Sequence, residues 1–76
     1  MPKLSPTDYN TQLKVFKKLG FKQSRTKGDH VILEKEGHSR PLVIPKYKEV
    51  PVFIIKNNMR SAGISREKYF KLLEEI

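Results

Sequence analysis

The sequence predicts a two-layer α+β domain in the order α-β-β-β-α, with a short extra C-terminal helix. Three observations predict it. An apolar stripe at helical spacing lies near the N-terminus, a β-branched block bounded by turn residues lies in the middle, and two further helical patterns separated by a glycine follow. A three-stranded sheet built this way has one face to hide, and the helices of the chain are the elements that cover it. At 76 residues a single domain over residues 1–76 is expected.

Ser5-Pro6-Thr7-Asp8 reads as a helix start, with Ser5 as the cap, Pro6 in the first helical position and Asp8 near the positive end of the dipole. Tyr9, Leu13, Phe16 and Leu19 then recur at spacings of four, three and three, a single apolar stripe. Lys14, Lys17 and Lys18 fall off that stripe, toward the end where the dipole favours cations. Gly20 is placed to end the helix in a left-handed conformation. The short polar segment 21–27 leads to Gly28-Asp29, a turn signal. His30-Val31-Ile32-Leu33-Glu34 is β-branched and apolar, and Glu36-Gly37-His38-Ser39 is the next turn. Leu42-Val43-Ile44 stands between Pro41 and Pro45, which restrict it to a short or edge strand. The pattern is an antiparallel meander with two tight connections. Alternation puts His30, Ile32 and Glu34 on one face and Val31, Leu33 and Lys35 on the other. The second set is the more core-like, so His30 points away from the helices. Val50-Pro51 opens a second helix with Val52, Ile55, Met59 and Ala62 as its buried stripe and Gly63 as its stop. Ser65 caps a last helix carrying Tyr69, Leu72, Leu73 and Ile76, too short to form unless it docks on the rest.

The chain carries 16 Lys+Arg against 8 Asp+Glu, a formal net charge of +8 with both histidines neutral, and its pI is near 9.9. The cations recur along the folded pattern rather than forming a tail. Lys and Arg near phosphates release counterions, a sequence-independent source of affinity, which points to a polyanion. Charge serves solubility as readily, so alone it does not choose between a nucleic acid, a membrane surface and an acidic protein.

Several function classes fall away. The absence of cysteine removes disulfides, thiolate catalysis and Cys-based zinc sites. Apolar residues make up 37% of the chain, and no run approaches the about 20 residues of a membrane span. The segment 1–5 lacks the apolar centre of a secretory signal, so a cytoplasmic location is expected. The glycines are dispersed, and each fits a turn or a helix end rather than a phosphate-binding loop. No carboxylate pair is spaced as glycoside hydrolysis requires. His30 and His38 flank a strand and a turn instead of sharing a helix face, so neither a metal nor another cofactor is expected.

What remains is histidine as a general acid or base. RNA brings its own nucleophile, the 2′-hydroxyl, so cleaving it requires no Ser, Cys or metal. It requires a group titrating near neutrality to move that proton, and cations to offset the charge developing on the phosphorane. Imidazole, with an unperturbed pKa of about 6.5, meets the first need. Arg25, Lys27 and Lys46 are the candidates for the second. His30 follows Gly28-Asp29 at a strand end, where the meander turns. An ordinary strand residue fits that position too, and from composition and spacing that reading stays open. His38 reads as an ordinary turn residue. Asp29 is placed either to orient His30 or to close the turn.

Four stretches taken in order resemble the HicA family of toxins: Leu19-Gly20-Phe21, Arg25-Thr26-Lys27-Gly28-Asp29-His30, Leu42-Val43-Ile44-Pro45 and Ala62-Gly63-Ile64-Ser65-Arg66-Glu67. The resemblance extends from about Ser5 to Leu73, and its most telling pieces are the Arg-x-Lys-Gly-x-His stretch and the Ala-Gly-Ile-Ser run. It implies a double-stranded-RNA-binding-like α-β-β-β-α domain, ribosome-independent mRNA interferase activity and neutralisation by an HicB antitoxin. It also implies that His30 is the catalytic histidine, because His30 stands at the family's Gly-x-His position. Two positions depart from the family pattern. Ser commonly stands between that Gly and His, where this chain has Asp29. Many relatives carry another histidine soon after the strand-three proline, where this chain has Lys46-Tyr47.

With that resemblance, the expected function is a metal-independent endoribonuclease toxin acting on mRNA. His30 moves the proton, Arg25, Lys27 and Lys46 hold or stabilise phosphate, and Tyr47 stacks on an unpaired base. The antitoxin is expected to meet this basic chain with an acidic surface. Two other classes stay open. One is a non-catalytic RNA-binding module of the double-stranded type, which binds by shape and needs no histidine. The other is an interaction protein whose charge serves only an acidic partner.

Overall fold

Val31, Leu33, Leu42 and Ile44 are each almost fully removed from solvent, and their alternation with more exposed neighbours gives the sheet one dry face. The computed structural model describes residues 3–76. The stretch 1–5, read above for its lack of a signal-peptide centre, lies partly outside them, as do the first two residues of the expected 1–76 domain. Helix α1 (Tyr9–Lys17), strands β1 (Lys22–Lys27), β2 (His30–Glu34) and β3 (Leu42–Pro45), and helices α2 (Val52–Ala62) and α3 (Arg66–Glu74) follow in that order. The strands form an antiparallel sheet in the order β1-β2-β3. Val15 and Phe16 of α1, Ile55 and Met59 of α2, and Tyr69 and Leu72 of α3 share one core with the dry face. This is the expected two-layer α+β arrangement with helices on one side of the sheet. Among the described residues no helix is long and apolar enough to cross a membrane.

Helix α1 begins at Tyr9, not at Pro6. Asp8 is its cap in place of Ser5: the Asp8 carboxylate accepts the Thr11 N–H at 3.2 Å and the Thr11 hydroxyl at 2.6 Å. The reason is tertiary. Thr7 forms an antiparallel bridge with Val50, whose N–H donates to the Thr7 carbonyl at 2.6 Å. That pairing holds the chain extended through residue 7, so the helix starts after it. The core face of α1 consists of Gln12, Val15 and Phe16, while Tyr9, Leu13 and Leu19 of the predicted stripe are half-buried. Gln12 belongs inside because its amide donates to the Thr7 hydroxyl and the Tyr69 hydroxyl, each at 2.7 Å. It thereby links the N-terminal segment to α3.

The Thr11 hydroxyl bonded to Asp8 holds that carboxyl below its ordinary value of 3.8. A lowered native pKa means that folding favours the ionised form. The stabilisation is therefore complete above about pH 4 and is lost as pH falls through the lower native value. Asp8→Ala should cost about 1 kcal/mol at neutral pH. In urea unfolding, the gap between wild type and variant should narrow as the pH drops below about 4.

Strands β1 and β2 are joined by the two residues Gly28-Asp29, with Gly28 at φ +61, as the turn signal predicts. The connection from β2 to β3 is longer than the tight turn expected, because it carries a strut. The His38 imidazole meets the Ser61 carbonyl near the end of α2 and packs edge-on against Phe21, with ring centroids 5.3 Å apart. His38 is thus a tie between loop and helix rather than an ordinary turn residue. Strand β3 is an edge strand, as its two prolines predict, and Pro45, expected to bound it, is its last residue. Lys46 N–H donates to the Asp29 carbonyl at 2.7 Å, and His30 and Pro45 are the next pair along. In an antiparallel ladder such a neighbour is a non-hydrogen-bonded pair, so the missing N–H of Pro45 is not required.

Helix α2 covers the free side of β3. Its buried residues are Ile55, Asn58 and Met59, while Val52 and Ala62 of the predicted stripe are half-buried. The Asn58 amide donates to the Val43 carbonyl at 3.1 Å, which occupies a backbone group that would otherwise invite another strand. Gly63 ends α2 at φ +75, as expected. Ser65 caps α3, accepting the Lys68 N–H at 3.1 Å. Ile76, expected on the last helix, lies beyond it and is exposed.

Candidate functional site

Strand β1 reads Lys22-Gln23-Ser24-Arg25-Thr26-Lys27, and all of it is exposed. In a regular strand Lys22 would face away from Arg25 and Lys27, because side chains alternate. An irregularity between Gln23 and Arg25 changes that. Lys22 pairs with Glu34, Gln23 with Leu33, Arg25 with Ile32 and Lys27 with His30, leaving Ser24 as the extra residue. Directly paired residues share a face. Lys22, Arg25 and Lys27 therefore all lie on the side of Glu34, Ile32 and His30, the face away from the helices. Gln23 and Thr26 share the opposite side, where their side chains hydrogen-bond at 3.0 Å. The Ser24 hydroxyl donates to the Ile32 carbonyl at 3.3 Å and fastens the bulge.

His30 opens β2 on this face with its side chain 46% exposed, and Asp29 Oδ1 lies 3.0 Å from His30 Nδ1. An ionised carboxylate only accepts, so Nδ1 carries a proton and Nε2 is the nitrogen left to meet a substrate. Asp29 does both things its position in the sequence suggested. Its carbonyl closes the strand end by accepting from Lys46, and its carboxylate orients the imidazole. The pair is too exposed for its attraction to add much stability. Its effect is on the ring's position and tautomer.

The cross-strand neighbours of His30 are Lys27 on β1 and Pro45 on β3. Lys22, Arg25 and Lys27 lie on the β1 flank. On the other is an open cleft of about 260 Å³, lined by His30, Val43 and Pro45 of the sheet and by Ile54, Asn57 and Asn58 of α2. Arg25 follows Lys27 on the same face, opposite Ile32. Lys46 comes directly after Pro45, tied to Asp29 through its backbone. Tyr47 N–H turns back to the Pro45 carbonyl at 2.8 Å, and the Tyr47 carbonyl accepts the Tyr9 N–H at 3.2 Å. Tyr47 is 42% exposed and, like Lys46, is not part of the cleft wall. Among the described residues no three His, Asp or Glu side chains gather closely enough to hold a metal ion.

Sequence reasoning missed the contribution of α2. The available signal was Asn57-Asn58, two residues of poor helix propensity side by side in the middle of a helix. Asn58 has a structural explanation in its bond to Val43. Asn57 is exposed at the rim of the cleft.

A family model described as the HicA toxin of bacterial toxin-antitoxin matches residues 10–64. No curated protein matches the chain. The matched span takes in the whole sheet, the Gly28-Asp29-His30 turn and all of α2. A match over most of the chain, including every element that builds the cleft, shows that this protein belongs to the HicA family of toxins of bacterial toxin–antitoxin systems.

Proposed function

We propose that this toxin is a metal-independent endoribonuclease that cleaves mRNA with a single catalytic histidine, His30, and that an HicB-type antitoxin neutralises it. The observation that carries this reading is the placement of His30: its Nδ1 faces Asp29, and the half-exposed ring stands between cations and a cleft. His30 Nε2 takes the proton of an RNA 2′-hydroxyl as that oxygen attacks the adjacent phosphorus. The 5′-oxygen departs with its electron pair and takes a proton from the imidazolium just formed. The products are a 2′,3′-cyclic phosphate and a 5′-hydroxyl, so no water or metal enters the bond-breaking step. Lys27, directly across from His30, and Arg25 and Lys46 nearby offset the charge that builds on phosphorus. The antitoxin silences the site most simply by covering His30 with an acidic surface.

The direct test is to incubate the protein with mixed-sequence single-stranded RNA in excess EDTA and identify the new ends. Cyclic-phosphate ends are expected. Salt-sensitive binding with the RNA left intact would assign the protein to the non-catalytic RNA-binding class instead.

The bulged strand leads to a separate prediction. The double change Lys22→Gln with Gln23→Lys keeps composition and net charge but moves one cation to the helix side of the sheet. The slope of log affinity for RNA against log salt should shrink by about 1 in the double variant. Fluorescence anisotropy over a salt series measures it. An unchanged slope would mean that total charge, not its face, governs binding.

A further inference from the structure

We infer that the cleft between β3 and α2 receives an unpaired nucleobase of the nucleotide at the cleavage site, and that Asn57 reads the edge of that base. The inference rests on the ribonuclease reading for its substrate class. Three features of the cleft point to a base rather than to phosphate or a peptide.

The first is charge. Apart from His30, the residues of the cleft wall are neutral; Lys22, Arg25 and Lys27 stand on the β1 flank of His30, and Lys46, next to Pro45, is outside the wall. A nucleotide laid across His30 therefore puts its phosphate toward β1 and its base toward α2. The second is shape and surface. Val43, Pro45 and Ile54 offer apolar walls to a flat ring, and about 260 Å³ lies below the range of drug-sized sites, about 300–1,000 Å³. The third is the pair of amides. Asn58 is buried and its amide is taken by the Val43 carbonyl. Asn57 is exposed, and its side chain presents a donor and an acceptor in one plane, the complement of a base edge.

Phe53 supports the same reading from a different direction. It is 65% exposed, so the fold does not account for it. It also stands four residues before Asn57 on α2, which places the two side chains next to each other on the helix surface. An exposed aromatic ring beside this cleft is a platform on which the next base stacks.

The test uses the whole protein and short 2′-O-methyl oligonucleotides, which lack the nucleophile and stay intact. Uniform strands of each of the four bases and an abasic strand of equal length are compared by anisotropy. Wild type should separate its best and worst bases by about tenfold and bind the abasic strand more weakly than any of them. Asn57→Ala should reduce the spread among the bases to within about twofold. This variant replaces an exposed helical Asn with a better helix former, so folding is not at risk. Phe53→Ala should weaken all four strands alike and leave their order unchanged. If Asn57→Ala keeps the wild-type order and spread, or if wild type binds the abasic strand as tightly as its best base, the inference is overturned. Ribose strands run in parallel separate the two readings. Base-dependent binding without cleavage would remove the nuclease and keep the base site, whereas cleavage with base-blind binding would do the reverse.

Discussion

Replacing His30 with alanine should lower RNA cleavage by about 10²- to 10⁴-fold, the usual contribution of a positioned general base. Folding should not change, because the side chain is 46% exposed and outside the core cluster. RNA affinity should stay within about twofold, since the binding energy comes mainly from cations and counterion release. The measurement is the rate on labelled single-stranded RNA in excess EDTA, with circular dichroism as the check on folding. Equal rates for wild type and variant would remove His30 from the chemistry. His38→Ala is the natural comparison, because that ring holds the β2–β3 loop to α2 and packs on Phe21. It should reduce stability while leaving the per-molecule activity of the folded fraction intact. On the proposed reading the two histidines of the chain do different work, one in the reaction and one in the fold.

The largest effect on stability is expected from Phe16→Ala. Phe16 is fully buried and meets Phe21 edge-to-face, with ring centroids 6.5 Å apart and planes at 85°. Truncating a buried phenylalanine costs about 3–5 kcal/mol, from lost transfer energy and the cavity left behind. Domain stability runs at about 0.05–0.15 kcal/mol per residue, which for a chain of this length is about 4–11 kcal/mol in all. The variant should therefore unfold at a much lower urea concentration, or be largely unfolded in buffer. Phe53→Ala provides the contrast within the same protein. Phe53 is 65% exposed, so its loss should shift the urea midpoint little. If the two substitutions cost the same, the core described above is not what holds the sheet to α1.

Some of the site was legible in local sequence. The Gly28-Asp29 turn places His30 at a strand start, and the alternation of Val31 and Leu33 with His30 and Ile32 sets it on the face away from the helices. The structure bears out both. The proposed role of His30 came from the resemblance to HicA toxins, because periodicity alone leaves it indistinguishable from any strand histidine. The Asp29–His30 contact was visible as a possibility, and the geometry shows the carboxylate on the ring. Asn57 went unnoticed because its significance depends on β3, which is adjacent in space and distant in sequence.

The sequence by itself determined the three-stranded antiparallel sheet, the helices on one of its faces, the exposed side of β2 and the glycine stop of α2. Each of these follows from patterns repeating every two residues or every three to four, and such patterns need only near neighbours to operate. Tertiary structure decided the rest. Helix α1 starts at Tyr9 because Thr7 is paired with Val50. Lys22 joins Arg25 and Lys27 because β2 pairs past Ser24 and leaves it as a bulge. The cleft brings Asn57 to His30 because α2 lies along the edge of β3, where the Asn58 amide donates to the Val43 carbonyl. In each case the outcome depends on a hydrogen bond or a register between segments far apart in the chain, and no local pattern contains that information.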